Sequence, residues 1–203
     1  VYWPDAHSTF PTETRVNQAA LVTGCYPRLH GIVGNKFVDP IAAPGQIFNT
    51  GVEEQLREGD KRLDGKLLGV PSMGEFLKEA RKVYASLSAG TPGGGRMLNH
   101  KAETVGGFRM ALHAPEATVA PGGLAAGIEK VGDFPDYEIP SMEWNRYATD
   151  IYMKFVEPEV QPDVMVLWFC EPDSSYHYKG IGAPENLAAI RGVDEQFGRI
   201  LDW

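Results

Sequence analysis

The chain has 203 residues, enough for one large domain or two small ones, and its 43% hydrophobic and 23% charged residues are ordinary for a protein with a packed core. Its formal net charge of −8 argues against a broad cationic surface, and therefore against binding to nucleic-acid polymers or to an anionic membrane. Phosphate-ester chemistry is not excluded, because a bound metal can supply a local positive charge. No apolar run approaches the roughly 18 residues of a membrane span, so none is expected.

Helix and strand signals alternate along the chain, which is typical of an α/β fold with a mainly parallel sheet flanked by helices. Helical patterns are predicted, in chain order, at 17–23, from the capping-box spacing at 72–75, at 141–155 and at 184–201. Strands are predicted at 83–88 and 164–169, with a strand or extended loop at 31–37. The run at 164–169 is continuously apolar, as in a strand buried on both faces of a parallel sheet.

The middle of the chain is rich in glycine and proline and has little periodicity. Residues 90–95 are predicted to form a glycine-rich loop without a helix behind it, and 99–137 to hold insertions and short elements. We interpret 1–203 as a single partial domain with a loop-rich insertion around 90–140. Both ends resemble the interior of a fold, since the start has no signal-type region and the last helix pattern runs into Trp203, so we expect truncation at both ends.

The sequence directly after the 164–169 strand carries the first candidate site. Ligands of parallel sheets collect at the carboxyl ends of the strands, and this segment holds Asp173 and His177 four residues apart. On one helical turn the two side chains share a face, and their oxygen and nitrogen atoms suit zinc. The alternative is that Asp173 caps the next helix and His177 is an ordinary surface histidine.

The second candidate precedes the helix at 17–23, where a serine and three threonines lie between residues 8 and 14. A hydroxyl at a helix N-terminus meets free amide donors, which suits a phosphoryl group. A threonine is a poor nucleophile unless a base or a metal lowers its pKa. The alternative is that Thr14 is only the N-cap of the helix.

Other residues carry weaker signals. Lys36 and Arg15 could each contact phosphate, although solvent-facing positions fit the sequence equally well. His30 falls in a turn and is predicted to have a structural role. His100 is predicted to pack in the core or on the surface rather than line a pocket. The alternative is that His100 completes a metal site with Asp173 and His177. The two cysteines are expected to be buried free thiols, and the sequence does not say whether they could pair.

Three ordered motifs carry a resemblance to a known family. They are Phe10-Pro11-Thr12-Glu13-Thr14-Arg15-Val16-Asn17, then Val22-Thr23-Gly24-Cys25-Tyr26-Pro27 with His30-Gly31-Ile32-Val33-Gly34-Asn35, and finally Glu171-Pro172-Asp173 followed by His177. Together they resemble the type I phosphodiesterase and nucleotide pyrophosphatase family of the alkaline phosphatase superfamily. The resemblance is close over 10–35 and 164–201 and loose between them.

The resemblance implies an alkaline-phosphatase-like fold and a metal-dependent hydrolase of phosphodiester or pyrophosphate bonds. It assigns Thr14 as the nucleophile, which also touches one of two zinc ions, Asn35 as a donor to a phosphate oxygen, and Asp173 and His177 as ligands of the other zinc. Other divalent metals are compatible. The implied partner is a small-molecule phosphate ester, turned over through a phosphoryl-threonine. Asn17 is expected to be a structural helix residue.

The departures from the family pattern leave alternatives open. The family's full site also needs an upstream Asp, which Asp5 is too near Thr14 to match, and an Asp-His pair that occurs nowhere in this chain. A family-like binding module without catalysis therefore stays open, as does a phosphonoacetate hydrolase-like enzyme, which also uses threonine. Sulfate-ester hydrolysis is disfavoured, because the sulfatase nucleophile is a modified Cys or Ser. Compartment and oligomeric state are not indicated.

Overall fold

The computed structural model describes residues 4–120 and 122–203. Its α-helices, in chain order, are α1 (Thr14–Thr23), α2 (Pro27–His30), α3 (Glu53–Arg62), α4 (Met73–Glu79), α5 (Pro92–Leu98), α6 (Ala102–Val105), α7 (Gly123–Val131), α8 (Met142–Ile151), α9 (Asp173–Lys179) and α10 (Pro184–Asp202). Its strands are β1 (Lys36–Val38), β2 (Ile47–Asn49), β3 (Tyr84–Ser88), β4 (Phe108–Ala111) and β5 (Val164–Trp168). A 3₁₀ turn (Pro115–Ala117) and a π-helical segment (Tyr152–Val160) complete the order.

A parallel sheet in the order β4-β3-β5 forms the centre of the fold, and β1 and β2 form a separate antiparallel pair. In the parallel sheet, Ala85 of β3 lies opposite Phe108 of β4 and Met165 of β5. Every residue of β3 is buried, whereas those of β5 are half-buried. The prediction that 164–169 is a strand is confirmed, but its burial on both faces is wrong. Within the described residues β5 is an edge strand, and β3 is the buried one.

Helices cover both faces of the sheet, so the fold has three layers. Strand side chains alternate between the faces. Val166 and Trp168 of β5 pack on a core cluster that includes residues of α1, α3 and α5, whereas Met165 and Leu167 pack on a cluster that includes α8 and the π-helical segment. The predicted α/β fold with a parallel sheet flanked by helices is confirmed.

One predicted boundary of each of two helices, the start of α4 and the end of α1, is confirmed at its cap. At the start of α4, the Glu75 carboxylate accepts hydrogen bonds from the backbone N–H of Ser72 at 2.8 Å and from its hydroxyl at 2.9 Å. These bonds belong to the capping box that the spacing predicts. At the end of α1, Gly24 adopts the left-handed conformation with φ 67°, which favours glycine.

The glycine-rich segment at 90–95 differs from its prediction, because α5 occupies most of it. Glycine weakens an isolated helix, but here it lets α5 pack closely against its neighbours. A Cβ on Gly93 would lie 2.1 Å from the Thr50 carbonyl oxygen, and one on Gly95 would lie 2.4 Å from the Ala111 Cβ. The glycines therefore serve helix packing, and tertiary contact overrides local propensity.

The segment after α5 contains short elements, as predicted, but one of them is β4, a strand of the central sheet. Its pairing with β3 makes this part of the segment integral to the core. The interpretation of 1–203 as one partial domain stays a prediction.

Helix α10 runs where predicted, and the face that it packs inward carries few large apolar side chains. Its buried residues are Asn186, Ala189, Gly192 and Gln196. The larger apolar side chains, such as Leu187 and Phe197, are exposed. Gly192 fits on this face because α10 approaches α8 closely: a Cβ on Gly192 would lie 3.0 Å from the Met142 sulfur.

Two remaining predictions concern the membrane and the thiols. None of the helices in 4–120 and 122–203 is both long and apolar enough to cross a bilayer. Cys25 and Cys170 are free thiols and are half-buried, so the expectation of free thiols is confirmed and that of full burial is not.

Candidate functional site

A cavity of about 660 Å³ lies at the carboxyl ends of the parallel strands. The segments that follow the three strands each contribute to its lining, with Thr91 after β3, His113 after β4 and Asp173 after β5. The N-terminus of α1 and Asn35 complete it. The cavity thus occupies the position that the sheet topology predicts for a ligand.

Thr14 lies at the first position of α1 and lines this cavity. The N-cap residue is Glu13, and α1 has no side-chain cap, so the alternative that Thr14 serves as the N-cap is wrong. Its hydroxyl is therefore not committed to the helix. The first amides of α1 lack partners within the helix and form a region favourable to an anion.

Asn17 holds the loop that leads into Thr14. Its Nδ2 donates to the carbonyl oxygens of Thr9 at 3.2 Å and Glu13 at 3.0 Å, and its Oδ1 accepts from the Thr9 N–H at 2.7 Å. These bonds fix the backbone on the N-terminal side of the threonine. Asn17 thus has the structural role that the sequence predicts for it.

Asn35 lies in the same cavity, immediately before β1. Its Oδ1 accepts a hydrogen bond from the Arg15 N–H at 3.0 Å, so the amide is oriented by the residue that follows Thr14. Its own backbone N–H donates to the Glu13 carboxylate. With Oδ1 engaged, the Nδ2 group is the part of the amide that can donate to a ligand.

Asp173 and His177 lie on one face of α9 and also line the cavity. The Asp173 Oδ1 and the His177 Nε2 are 3.6 Å apart, and 70% and 74% of the two side chains are exposed. The N-cap of α9 is Pro172, so the alternative that Asp173 caps this helix is wrong. Both side chains can reach a ligand from the open side of the cavity.

Glu171 performs the capping that Asp173 does not. Its buried carboxylate accepts from the Ser175 N–H at 3.0 Å and hydroxyl at 2.6 Å, and from the Ser141 N–H at 2.7 Å and hydroxyl at 2.9 Å. It therefore ties the first turn of α9 to the start of α8. Sequence reasoning missed this role, because Ser141 lies 30 residues away in the chain.

The donor set fits a zinc ion in part. A carboxylate oxygen and an imidazole nitrogen on one helix turn are suitable zinc ligands. In the described part of the chain, no group of three or more His, Cys, Asp or Glu side chains is arranged to hold a metal. The structure thus brings together two donors, Asp173 and His177, with the Thr14 hydroxyl in the same cavity.

His100 and His30 lie outside the lining of the cavity. His100 is buried outside the cavity among Lys101, Glu75 and Asp60, and burial lowers its pKa to about 4, so the alternative metal site that includes it is wrong. His30 is buried, and its Nδ1 accepts the Ile32 N–H at 3.1 Å, which confirms its structural role.

The rim beside β4 is aromatic. The His113 ring stacks on Trp144 with 4.3 Å between centroids and meets Tyr137 edge-on at 4.7 Å. His113 and Tyr137 both line the cavity. This rim offers an apolar contact to an organic part of a ligand, and no sequence period signals it because its members come from separate parts of the chain.

The sequence matches a known protein family along its whole length. The family model for type I phosphodiesterase / nucleotide pyrophosphatase matches residues 1–203. Ectonucleotide pyrophosphatase/phosphodiesterase family member 1 is 25% identical in Homo sapiens and 23% in Mus musculus, over 99% of this chain and 18% of the relative's length. The chain thus spans less than a fifth of these relatives.

Phosphonoacetate hydrolase from Sinorhizobium meliloti 1021, in complex with phosphonoformate, superposes with a TM-score of 0.66 at 20% identity, covering 96% of this chain and 43% of that one. The same enzyme in complex with phosphonoacetate gives a TM-score of 0.64 at 18% identity. This likeness shows an alkaline-phosphatase-like fold. Because the family model covers the whole sequence, the chain belongs to the type I phosphodiesterase/nucleotide pyrophosphatase family.

Proposed function

We propose that the protein containing this chain is a metal-dependent hydrolase of phosphodiester or pyrophosphate bonds, with Thr14 as its nucleophile. One observation carries the proposal: a single cavity at the strand ends gathers Thr14, Asn35, Asp173 and His177. These residues come from three separate parts of the chain. They supply a hydroxyl, an amide donor and two metal donors, which are part of the set that phosphoryl transfer to a threonine uses.

Zinc bound by Asp173 and His177, with a second ion on the Thr14 side, would lower the pKa of the hydroxyl and neutralise charge on the phosphoryl oxygens. The residues themselves position the substrate. The N-terminus of α1, where the Arg15 N–H is already engaged by Asn35, favours a phosphoryl oxygen near Thr14. The Asn35 Nδ2 donates to a second oxygen, and its amide is already oriented by the Arg15 N–H.

The reaction proceeds in two balanced steps. In the first, the Thr14 Oγ bonds to phosphorus as the bond to the leaving oxygen breaks, and the leaving oxygen takes up the threonine proton. In the second, a water oxygen attacks the phosphoryl-threonine, and the bond between phosphorus and Oγ breaks. One water proton returns to Thr14, and the phosphate product keeps the water oxygen.

The test is a Thr14→Ala substitution in the full-length zinc-loaded protein, assayed with bis(p-nitrophenyl) phosphate. We expect turnover to fall at least about a thousandfold, because the bond-forming oxygen is gone, with zinc content close to that of the unchanged protein. Thr23→Ala, at the other end of α1, is the matched control and should keep its turnover. Retained turnover in Thr14→Ala would contradict the assignment.

A phosphonoacetate hydrolase-like reaction is the second candidate, favoured by the fold shared with that enzyme over 96% of this chain. It would cleave a bond from phosphorus to carbon, with phosphate and acetate as products. Phosphate release from phosphonoacetate, measured beside release of p-nitrophenol from the aryl diester, separates the two candidates. A family-like binding module is the remaining alternative, and it would show neither zinc uptake nor hydrolysis in the full-length protein.

A further inference from the structure

Arg15 is the cation of the candidate site. It follows Thr14 directly, and among the described residues that line the cavity it is the one Lys or Arg side chain. Lys36, the other basic residue considered for a phosphate contact, is exposed and lies outside the lining. The tertiary structure therefore separates two residues that the sequence leaves equivalent.

The Arg15 guanidinium is half-buried and incompletely paired. Its Nη1 contacts the Thr91 Oγ1 at 3.5 Å, and its Nε is buried without a hydrogen-bond partner. Within the described part of the chain, no carboxylate oxygen lies within 4.0 Å of it. Burial lowers its pKa, and the charges of Asp173 and Glu13 oppose that shift. A guanidinium removed from water without a partner favours an anionic ligand.

The two nearby carboxylates have other partners. Glu13 accepts the backbone N–H of Asn35. Asp173 is a metal ligand in the proposed function, on which this inference rests. Neither carboxylate pairs with Arg15 within 4.0 Å, so the donors of the guanidinium remain available to an anionic ligand.

We infer that Arg15 selects substrates that carry a second oxyanion group beside the scissile phosphoryl group. Thr14 and Asn35 receive the phosphoryl group, while the planar guanidinium fork binds the second group through two parallel hydrogen bonds. The Thr91 hydroxyl lies beside the same fork. A carboxylate, as in phosphonoacetate, and a second phosphate, as in a pyrophosphate, share this chemistry.

The experiment measures selectivity in the full-length zinc-loaded protein. The value of kcat/KM is determined for phosphonoacetate, for ADP and for bis(p-nitrophenyl) phosphate, which has no second oxyanion. For Arg15→Gln we expect the ratio of kcat/KM for the preferred substrate with two oxyanion groups to kcat/KM for the aryl diester to fall about 10- to 100-fold, the loss typical of a charged hydrogen bond. Arg15→Lys should give a ratio between those of the unchanged protein and Arg15→Gln. The control is Arg28→Gln, which removes an exposed arginine outside the cavity and should keep the ratio of the unchanged protein.

Binding supplies a readout that does not need turnover. Calorimetric titration with inorganic pyrophosphate, phosphonoformate and phosphate should show tighter binding of the first two, and Arg15→Gln should remove that preference. Loss with phosphonoformate alone identifies a carboxylate, and loss with pyrophosphate alone identifies a second phosphate. Equal affinities in both proteins, or no binding of either pyrophosphate or phosphonoformate, overturn the inference. If no substrate is hydrolysed but the binding preference is present, the proposed function is overturned instead.

Discussion

Two glutamates at the candidate site, Glu171 and Glu13, accept hydrogen bonds from backbone N–H groups. Glu171 accepts four hydrogen bonds from Ser175 and Ser141 and is only 4% exposed, whereas Glu13 accepts the N–H of Asn35. Glu171 fixes the first turn of α9, which carries Asp173. Glu13 fixes the backbone of Asn35. At the residue scale, the site depends on carboxylates that fix its backbone.

Glu171→Ala should destabilise the protein by about 2 to 3 kcal/mol, because it leaves buried donors of Ser141 and Ser175 without an acceptor. Urea unfolding measures the loss. The substitution should also weaken zinc binding, since the first turn of α9 carries Asp173. The control is Glu129→Ala, an exposed glutamate on α7, which should change stability by less than about 0.5 kcal/mol. An unchanged unfolding midpoint for Glu171→Ala would show that the carboxylate is not a structural acceptor.

Helix α5 shows how packing decides an element. Its sequence contains three consecutive glycines, which weaken an isolated helix, and yet it is buried almost throughout. Thr91 provides the N-cap, since its Oγ1 accepts the Gly94 N–H at 3.3 Å. The same loop places Thr91 in the cavity beside Arg15. The element therefore links the core to the site.

Alanine at two glycines should have opposite effects. Gly93→Ala places a Cβ 2.1 Å from a backbone oxygen of Thr50, so α5 must move, and we expect a loss of about 2 kcal/mol or more. Gly198→Ala on α10 meets nothing within 4 Å and should stabilise the helix by up to about 1 kcal/mol. Denaturant titration of both variants checks the pair. Equal effects would show that the close approach of α5 does not limit packing.

At the scale of the whole molecule, buried titratable groups make stability depend on pH. Burial lowers the pKa of His100 to about 4, below its ordinary value of 6.5. The unfolded chain then binds the proton more readily, so the stability that neutral His100 contributes is present above about pH 6.5 and is lost as the pH falls toward 4. Burial also lowers the pKa of His30, with an effect of the same sign.

We expect the free energy of unfolding to fall by up to about 3 kcal/mol between pH 6.5 and 4 through His100 alone. In His100→Leu this part of the slope should disappear, whatever the absolute stability of the variant. Glu103 acts in a lower window: burial works to raise its pKa, but Arg109 outweighs it and lowers that pKa to about 2, so its contribution is lost only below about pH 4.5. Urea titrations at several pH values separate the contributions of His100 and Glu103 to the free energy of unfolding. Parallel slopes for both proteins would contradict the assignment to His100.

Local patterns in the sequence were sufficient for the fold class and for the position of the site. Apolar periodicity and capping signals depend on neighbouring residues, so the strand at 164–169, α4 and α10 could be predicted. Asp173 and His177 follow a strand, and strand ends meet at one edge of a parallel sheet. The cavity therefore lies where the topology predicts, although the roles of its residues stay predictions.

Only the tertiary structure decided the features that depend on residues distant in the chain. The glycines of α5 form a helix because Thr50 and Ala111 leave no room for side chains, and α10 buries its small face because α8 lies so close. Arg15 differs from Lys36 through its position in the cavity, and no local pattern records that. Periodicity reports which residues favour burial, whereas packing and hydrogen-bond partners determine which of them are buried.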